Sequence, residues 1–206
     1  MRLAVTVGFE SKLVIRAITR LGPTRGVVFL RGITGREGDR QSEETVRDLV
    51  KILGYGEDVA VDLRDLEEAF GKLAEIDFDA VALAGGPRLL VVLAFLAAMY
   101  KGRGVYVVPE YDPEPIDVSH LARLPSISAL SPTRLRILAS LDGDKTYREV
   151  ASDVGVDSST ALRHLEGLRR LGLVERAGGR LPRYRAGPAV VRLSRVLLRI
   201  KSRRSL

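Results

Sequence analysis

Within the first 108 of 206 residues, five short apolar runs rich in β-branched side chains alternate with segments of helical period. Few folds accommodate that pattern. The runs cover residues 3–7, 27–31, 58–63, 80–84 and 105–108. They read as largely continuous apolar runs, as expected of strands in a parallel sheet covered on both faces. Between them, Val14, Ala17, Ile18 and Leu21 mark an amphipathic helix that ends at Gly22 and Pro23. Val46, Leu49, Val50 and Leu53 mark a second, opening near Ser42 and stopping at Gly54; Leu66, Ala69, Phe70 and Leu73 mark a third. Such alternation predicts an α/β fold, a Rossmann-like doubly wound and mostly parallel sheet of strand order 3-2-1-4-5.

Residues 109–115 are proline-punctuated and acidic, and open an expected linker over 109–128 between domains 1–108 and 129–206. The second domain changes character. Ser131 before Pro132 reads as an N-cap with proline in the first turn, opening a helix with Leu135, Leu138 and Ala139 inward. Thr146 and Glu149 form a capping box for a helix carrying Tyr147, Val150, Ala151 and Val154 on one face. Gly155 and Val156 turn the chain, and Asp157 or Ser158 caps a third helix with Leu162, Leu165, Leu168 and Leu171 inward. Residues 173–176 and 184–185 then flank a β-hairpin. A last helix from about Pro188 sets Val190, Leu193, Leu197 and Ile200 on one side and Arg192, Arg195, Arg199 and Arg203 on another. Together these predict a C-terminal winged helix-turn-helix.

Charge separates the halves. Residues 1–125 carry 16 basic and 19 acidic side chains, net −3, whereas 126–206 carry 17 and 7, net +10. From Arg176 onward ten basic residues have no acidic companion, so a polyanion partner is expected of the second half alone. If the third helix enters a DNA major groove, Ser158, Ser159 and Thr160 at its N-terminus reach base edges, with Arg163 and Arg170 further along. Arg176, Arg180, Arg183 and Arg185 on the hairpin suit phosphate or minor-groove contact.

The chain has no cysteine and two histidines, His120 and His164. Disulfides and cysteine-ligated zinc are excluded, and no metal site is expected. Asparagine is absent and Gln41 is the single glutamine, a composition that suits a hot environment. The longest apolar stretch, residues 89–100, falls short of the ~20 residues that span a bilayer, and the first strand begins without a signal peptide. A soluble, cytoplasmic protein without membrane contact is expected.

Two glycine loops carry the candidate ligand chemistry. The first run ends in Thr6, Val7, Gly8, Phe9 and Glu10 and enters a helix; the fourth ends in Gly85, Gly86, Pro87 and Arg88 and enters another. In the expected strand order these loops border one crevice, where the winding reverses and such folds bind ligands. Glycines let backbone N–H groups approach an anion, helix N-termini favour negative charge, and Arg88 adds a bidentate phosphate contact. Arg31 and Thr34, on a third polar loop over 31–36, share the rim. No G-x-x-x-x-G-K-[ST] run is present, the first loop has one glycine where a dinucleotide fingerprint needs three, and Arg31 stands where an acidic residue would hold a ribose. The site suits phosphate, but not the usual nucleotides.

Gly8-Phe9-Glu10 after the first strand, Gly85-Gly86-Pro87-Arg88 heading an apolar helix, and a C-terminal winged helix follow one another over essentially the whole chain. In that combination the chain resembles the CRISPR-associated Rossmann-fold (CARF) transcription regulators, archaeal proteins that join a CARF sensor to a winged helix-turn-helix. The resemblance implies a homodimer that controls CRISPR-associated genes by binding double-stranded promoter DNA. It implies no cofactor, but a regulatory cyclic oligoadenylate, here expected to be cyclic tetra-adenylate, bound across the dimer two-fold. Carried over by position, Gly8 and Phe9 match the first ligand loop, and Gly85, Gly86 and Arg88 the second; Pro87 stands where a threonine or other small hydroxyl residue is expected. The stretch 89–100 then reads as a buried helix or as part of the dimer interface. A regulator rather than an enzyme is expected. One alternative is a ring nuclease, in which Arg88, Thr6 or Ser11 assists attack by a ribose 2′-hydroxyl of the ligand. Another is a nicotinamide-responsive DNA-binding regulator.

Overall fold

A computed structural model of the chain describes residues 1–178 and 181–203, which form two compact units divided after Ala122. The first unit runs β1 (Arg2–Thr6), α1 (Ser11–Leu21), β2 (Gly26–Ile33), α2 (Gly38–Leu53), β3 (Glu57–Asp62), α3 (Leu66–Glu75), β4 (Ala80–Leu83), α4 (Arg88–Tyr100), β5 (Gly104–Val107) and β6 (Ile116–Asp117). Its sheet has the order β3-β2-β1-β4-β5-β6, parallel except for β6, which runs antiparallel to β5. Leu3, Val5, Val27 and Phe29 pack on one side with Val14, Ile18 and Leu49 of α1 and α2. Ala4, Val28, Leu30 and Val81 pack on the other with Leu73 of α3 and Leu90, Leu93 and Ala97 of α4. Two covered faces account for the continuous apolar runs. Val5 of β1 lies between Phe29 of β2 and Ala82 of β4, so the winding reverses there and the following loops emerge side by side.

Several boundaries differ from the expected ones. β2 continues through Gly32 and Ile33, which pair with Val61 and Asp62 of β3. α2 opens at Gly38, ahead of Ser42, because Asp39 binds back to the preceding turn. The expected linker over 109–128 is instead divided between the two units. Arg16 of α1 donates to the carbonyls of Pro109 and Asp112 at 2.7 and 2.9 Å, β6 pairs with β5, and the Ser119 hydroxyl accepts the Val105 amide at 2.8 Å. These bonds hold the proline-rich stretch on the first unit and cover an otherwise open sheet edge. The short helix α5 (Leu124–Ser128) puts Ile127 into the second core.

The second unit continues with α6 (Pro132–Ser140), β7 (Lys145–Thr146), α7 (Tyr147–Val154), α8 (Ser158–Arg170), β8 (Glu175–Ala177), β9 (Arg183–Arg185) and α9 (Pro188–Arg203). Leu135, Ile137, Leu138, Val150, Leu165, Leu168, Tyr184 and Val190 form its core, and a small sheet of order β7-β9-β8 makes the wing. The expected caps are in place. Ser131 accepts the Arg134 amide at 3.4 Å, Thr146 and Glu149 close a reciprocal box at 3.3 and 2.6 Å, and Asp157 accepts the Thr160 amide at 2.8 Å. The leucine register on α8 differs, however: Leu162 and Leu171 are 37% and 52% exposed, and Ala161 takes the inward place. Each spacing of three residues lags a full turn by about 60°, so a run from 162 to 171 rotates through half a turn and only its middle stays inside. No helix among the described residues is long and apolar enough to cross a membrane.

Candidate ligand crevice and nucleic-acid interface

The loops after β1 and β4 touch. A Cβ on Gly8 would stand 2.6 Å from the Gly86 nitrogen, and one on Gly86, whose φ is +95°, would stand 2.7 Å from the Val7 carbonyl oxygen. Two backbones passing in contact therefore require these glycines before any ligand is considered. Thr6 ties the same loops. It is fully buried, and its hydroxyl oxygen accepts the amides of Ala84 at 3.0 Å and Gly85 at 3.3 Å. This corrects the expectation that Thr6 faces a ligand, and with it the expectation that Thr6 assists cleavage of one: it shares the packed face of Ala4 and acts as an internal strut.

Beyond the contact lies a crevice of about 360 Å³ whose walls include Gly8, Phe9, Thr34, Arg36, Asp39 and Pro87. A neighbouring hollow of about 410 Å³ shares Thr34, Arg36 and Pro87 and adds Arg88 and Arg64. Phe9 is 57% exposed, with its ring over Gly38, where a Cβ would come within 3.0 Å of it. The guanidiniums of Arg36 and Arg88 have no partner among the described residues, whereas Arg64 is held by Asp62 at 2.5 Å, which pulls that carboxyl down to about 2. The N-terminal end of α4, beginning at Arg88, adds partial positive charge. Arg36 lies on the loop already marked as polar, but its orientation depends on where β2 ends.

Two expected contacts fall elsewhere. Arg31 is an interior residue of β2 on the side of Phe29; its side chain is 14% exposed and Nε donates to both oxygens of Asp58 at 2.9 and 3.0 Å. It lines neither hollow, because the strand runs on past it. Glu10 precedes α1, lines neither hollow, and pairs with Lys12 at 3.0 Å.

The third loop is an anion nest filled by the chain itself. The Asp39 carboxylate accepts the Thr34 hydroxyl at 2.8 Å and the amides of Thr34, Gly35 and Arg36 at 2.9, 2.7 and 3.3 Å. Desolvation raises the Asp39 pKa, but these donors together hold it below the ordinary value of 3.8. The sequence reading missed Asp39; the T-G-R-E-G-D run over 34–39, with an aspartate where a helix begins, is the signal that marks it.

In the second unit, α8 buries Ala161, Leu165 and Leu168 and turns Ser159, Arg163 and Arg170 outward along one line. Arg163 and Arg170 are exposed and have no partner among the described residues. Ser158 is exposed at the first helical position, and Thr160 is half-buried. Ser159 donates its hydroxyl to Asp157 at 2.5 Å; that bond and those from Thr160 hold the Asp157 carboxyl well below the usual carboxylate range. His164 is partly packed and accepts Arg134 Nε at 3.5 Å; burial and the charges of Arg134 and Arg163 push its pKa down. On the wing, Arg183 donates to the Asp144 carbonyl at 2.8 Å and Arg185 to Glu175 at 2.7 and 2.9 Å. Exposed pairs of this kind are worth about 0–1 kcal/mol, so a phosphate can replace them cheaply. Arg180 lies outside the described residues.

A family model described as the Csa3 CRISPR-associated Rossmann-like domain matches residues 1–119, and one described as a helix-turn-helix domain matches residues 129–177. This chain belongs to the Csa3 family. The "CRISPR locus-related putative DNA-binding protein Csa3" of Thermoproteus tenax is 42% identical over 197 residues, covering 96% of this chain and 97% of that one. Among solved structures, a MarR-family transcriptional regulator from Silicibacter pomeroyi is 26% identical at a TM-score of 0.33, over 42% of this chain and 64% of that one. The homodimeric winged helix-turn-helix DNA-binding domain Mb0332 from Mycobacterium bovis is 30% identical at a TM-score of 0.33, over 41% of this chain and 81% of that one.

The first unit also leaves one helix apolar on both sides. α4 buries Leu90, Leu93, Ala94, Ala97 and Ala98 against the sheet, while Leu89, Val92, Leu96 and Tyr100 form an exposed stripe. Val92 is 51% and Tyr100 76% exposed. The stripe begins beside Arg88, at the crevice.

Proposed function

We propose that this Csa3-family chain is a homodimeric regulator of CRISPR-associated promoters. It reads duplex DNA through α8 and the β8–β9 wing, under the control of a cyclic oligoadenylate, cyclic tetra-adenylate in the first instance, held at the crevice of the first unit. The observation that carries the sensing half is a pair of guanidiniums without partners among the described residues, Arg36 in the crevice with the exposed Phe9 ring and Arg88 in the adjoining hollow. Arginines without carboxylate partners suit phosphodiesters, and a free aromatic face suits a base. The Thermoproteus tenax relative, named a "putative DNA-binding protein", supports the output half, as do the outward Ser159, Arg163 and Arg170 of α8.

The α4 stripe supplies the dimer seat. An apolar helix face of this size is normally covered, and a two-fold pairing of α4 would bring two crevices to one axis, matching a symmetric ligand. Leu96→Glu is then expected to convert the dimer to monomer in sedimentation, and a persisting dimer would rule out this seat. The two binding functions separate by mutation. Arg88→Ala should weaken cyclic tetra-adenylate binding at least tenfold in calorimetry and leave basal DNA affinity within about twofold, each tenfold being about 1.4 kcal/mol. Arg163→Ala should do the reverse. Unchanged ligand affinity in the first variant, or unchanged DNA affinity in the second, contradicts the corresponding assignment.

A further inference from the structure

We propose that the solvent face of α9 is a second DNA-contact surface, on which Arg192, Arg199 and Arg203 meet backbone phosphates. The proposal rests on the DNA-binding reading above and adds a surface to it. A comparison of two helices carries it. α2 and α9 each have 16 residues. On α2 the exposed cations meet carboxylates of the same helix, Arg40 with Glu44 and Arg47 with Glu43 at 3.1 Å, and Lys51 with Asp48 at 3.7 Å. α9 contains no acidic residue at all.

The cations of α9 fall into two sets. Arg195 donates to the Ala139 carbonyl and to Asp142, each at 3.1 Å, and Lys201 donates to the carbonyls of Ser128 and Leu130, each at 2.9 Å. These two fasten the helix to its own unit. Arg192, Arg199 and Arg203 point away from the buried Val190, Val191 and Ser194, are exposed, and have no ion-pair or hydrogen-bond partner among the described residues. Like charges stacked on one helix face repel. The helix dipole favours Arg203 in the last turn but offers nothing to Arg192, near the N-terminal end.

No described residue supplies the counter-charge, and a polyanion laid along the stripe would. Eleven residues at ~1.5 Å rise span about 16 Å. A duplex carries one negative charge per ~3.4 Å of axis on each strand, so about five phosphates of the facing strand fall within this length. A second copy of α9 fits poorly, because a two-fold axis would set the arginine stripe against itself.

The test uses the full chain and a duplex selected by the wild-type protein from a random library. Affinity is measured between 50 and 200 mM salt for wild type, for the triple variant Arg192→Ala, Arg199→Ala, Arg203→Ala, and for the corresponding triple lysine variant. Each released phosphate contact contributes a slope of about 0.9, so the alanine variant should lose about 2–3 per subunit, or about 5 for the proposed dimer, from the log–log salt slope. Its affinity should fall by the same factor on the selected and on a scrambled duplex, and its footprint should shorten. The lysine variant should keep the wild-type slope, which separates lost charge from lost fold. Wild-type slope and footprint in the alanine variant would overturn the α9 surface alone, as would a slope lost equally with lysine. Failure of wild type to enrich any duplex would overturn the DNA-binding reading itself.

Discussion

The Asp39 carboxylate occupies donors of Thr34, Gly35 and Arg36, and so sets the loop whose Thr34 and Arg36 line the crevice. Its folded pKa lies below 3.8, so its contribution to stability is fully present above that value and is lost as pH falls through the folded pKa. Asp39→Asn abolishes this titration. In an acid titration followed by circular dichroism, the variant should be less stable than wild type at neutral pH, and the difference should shrink below pH 3.8; a constant difference would contradict the role given to Asp39. Other residues show what a sequence reveals at this scale. Gly8, Gly85 and Gly86 stand out as a cluster, but their Cβ-free positions serve a contact between two backbones, and the neighbour that excludes a side chain is remote in sequence. Thr6 and Arg31 were misplaced for the same reason. Whether a residue at a strand end faces the crevice depends on strand length and on partners such as Ala84 and Asp58.

Among elements, local signals were the legible ones. The caps at Ser131, Thr146 and Asp157 act within four residues, so their chemistry is visible in the chain itself. The β1 to β5 alternation was legible because the central strands are buried on both faces and nearly all apolar, and edge strand β3 keeps an apolar centre between its acidic residues. The leucine register of α8 was not, since spacing by three fits no single face. The Asp157 cap holds both the first turn of α8 and the Ser159 hydroxyl, at the end that the DNA-binding reading places against bases. Asp157→Ala should cost about 1 kcal/mol, a fall of roughly 4–8 °C in the midpoint of a domain of this size. Asp157→Asn should restore most of it. An unchanged thermal midpoint in the alanine variant would show that the cap does not hold the helix.

At the scale of the whole molecule, net charge alone was a poor guide and its division a good one. The surplus of +10 in residues 126–206 concentrates on outward side chains of α8, the wing and α9, whereas part of it is bound internally at Arg195 and Arg185. The expected linker was misread because proline is a local signal, and the bonds that fasten residues 109–122 to the first unit come from Arg16, Val105 and β5, all distant in sequence. The central claim joins the two units: a ligand at the crevice changes DNA affinity. Its most direct test is the DNA affinity of the full chain along a titration with cyclic tetra-adenylate. A coupling of about 1–3 kcal/mol predicts a shift of roughly 5- to 150-fold at saturation, with the same factor appearing in ligand affinity when DNA is bound, and its loss in Arg88→Ala. A DNA affinity that stays constant while the ligand binds would contradict the account.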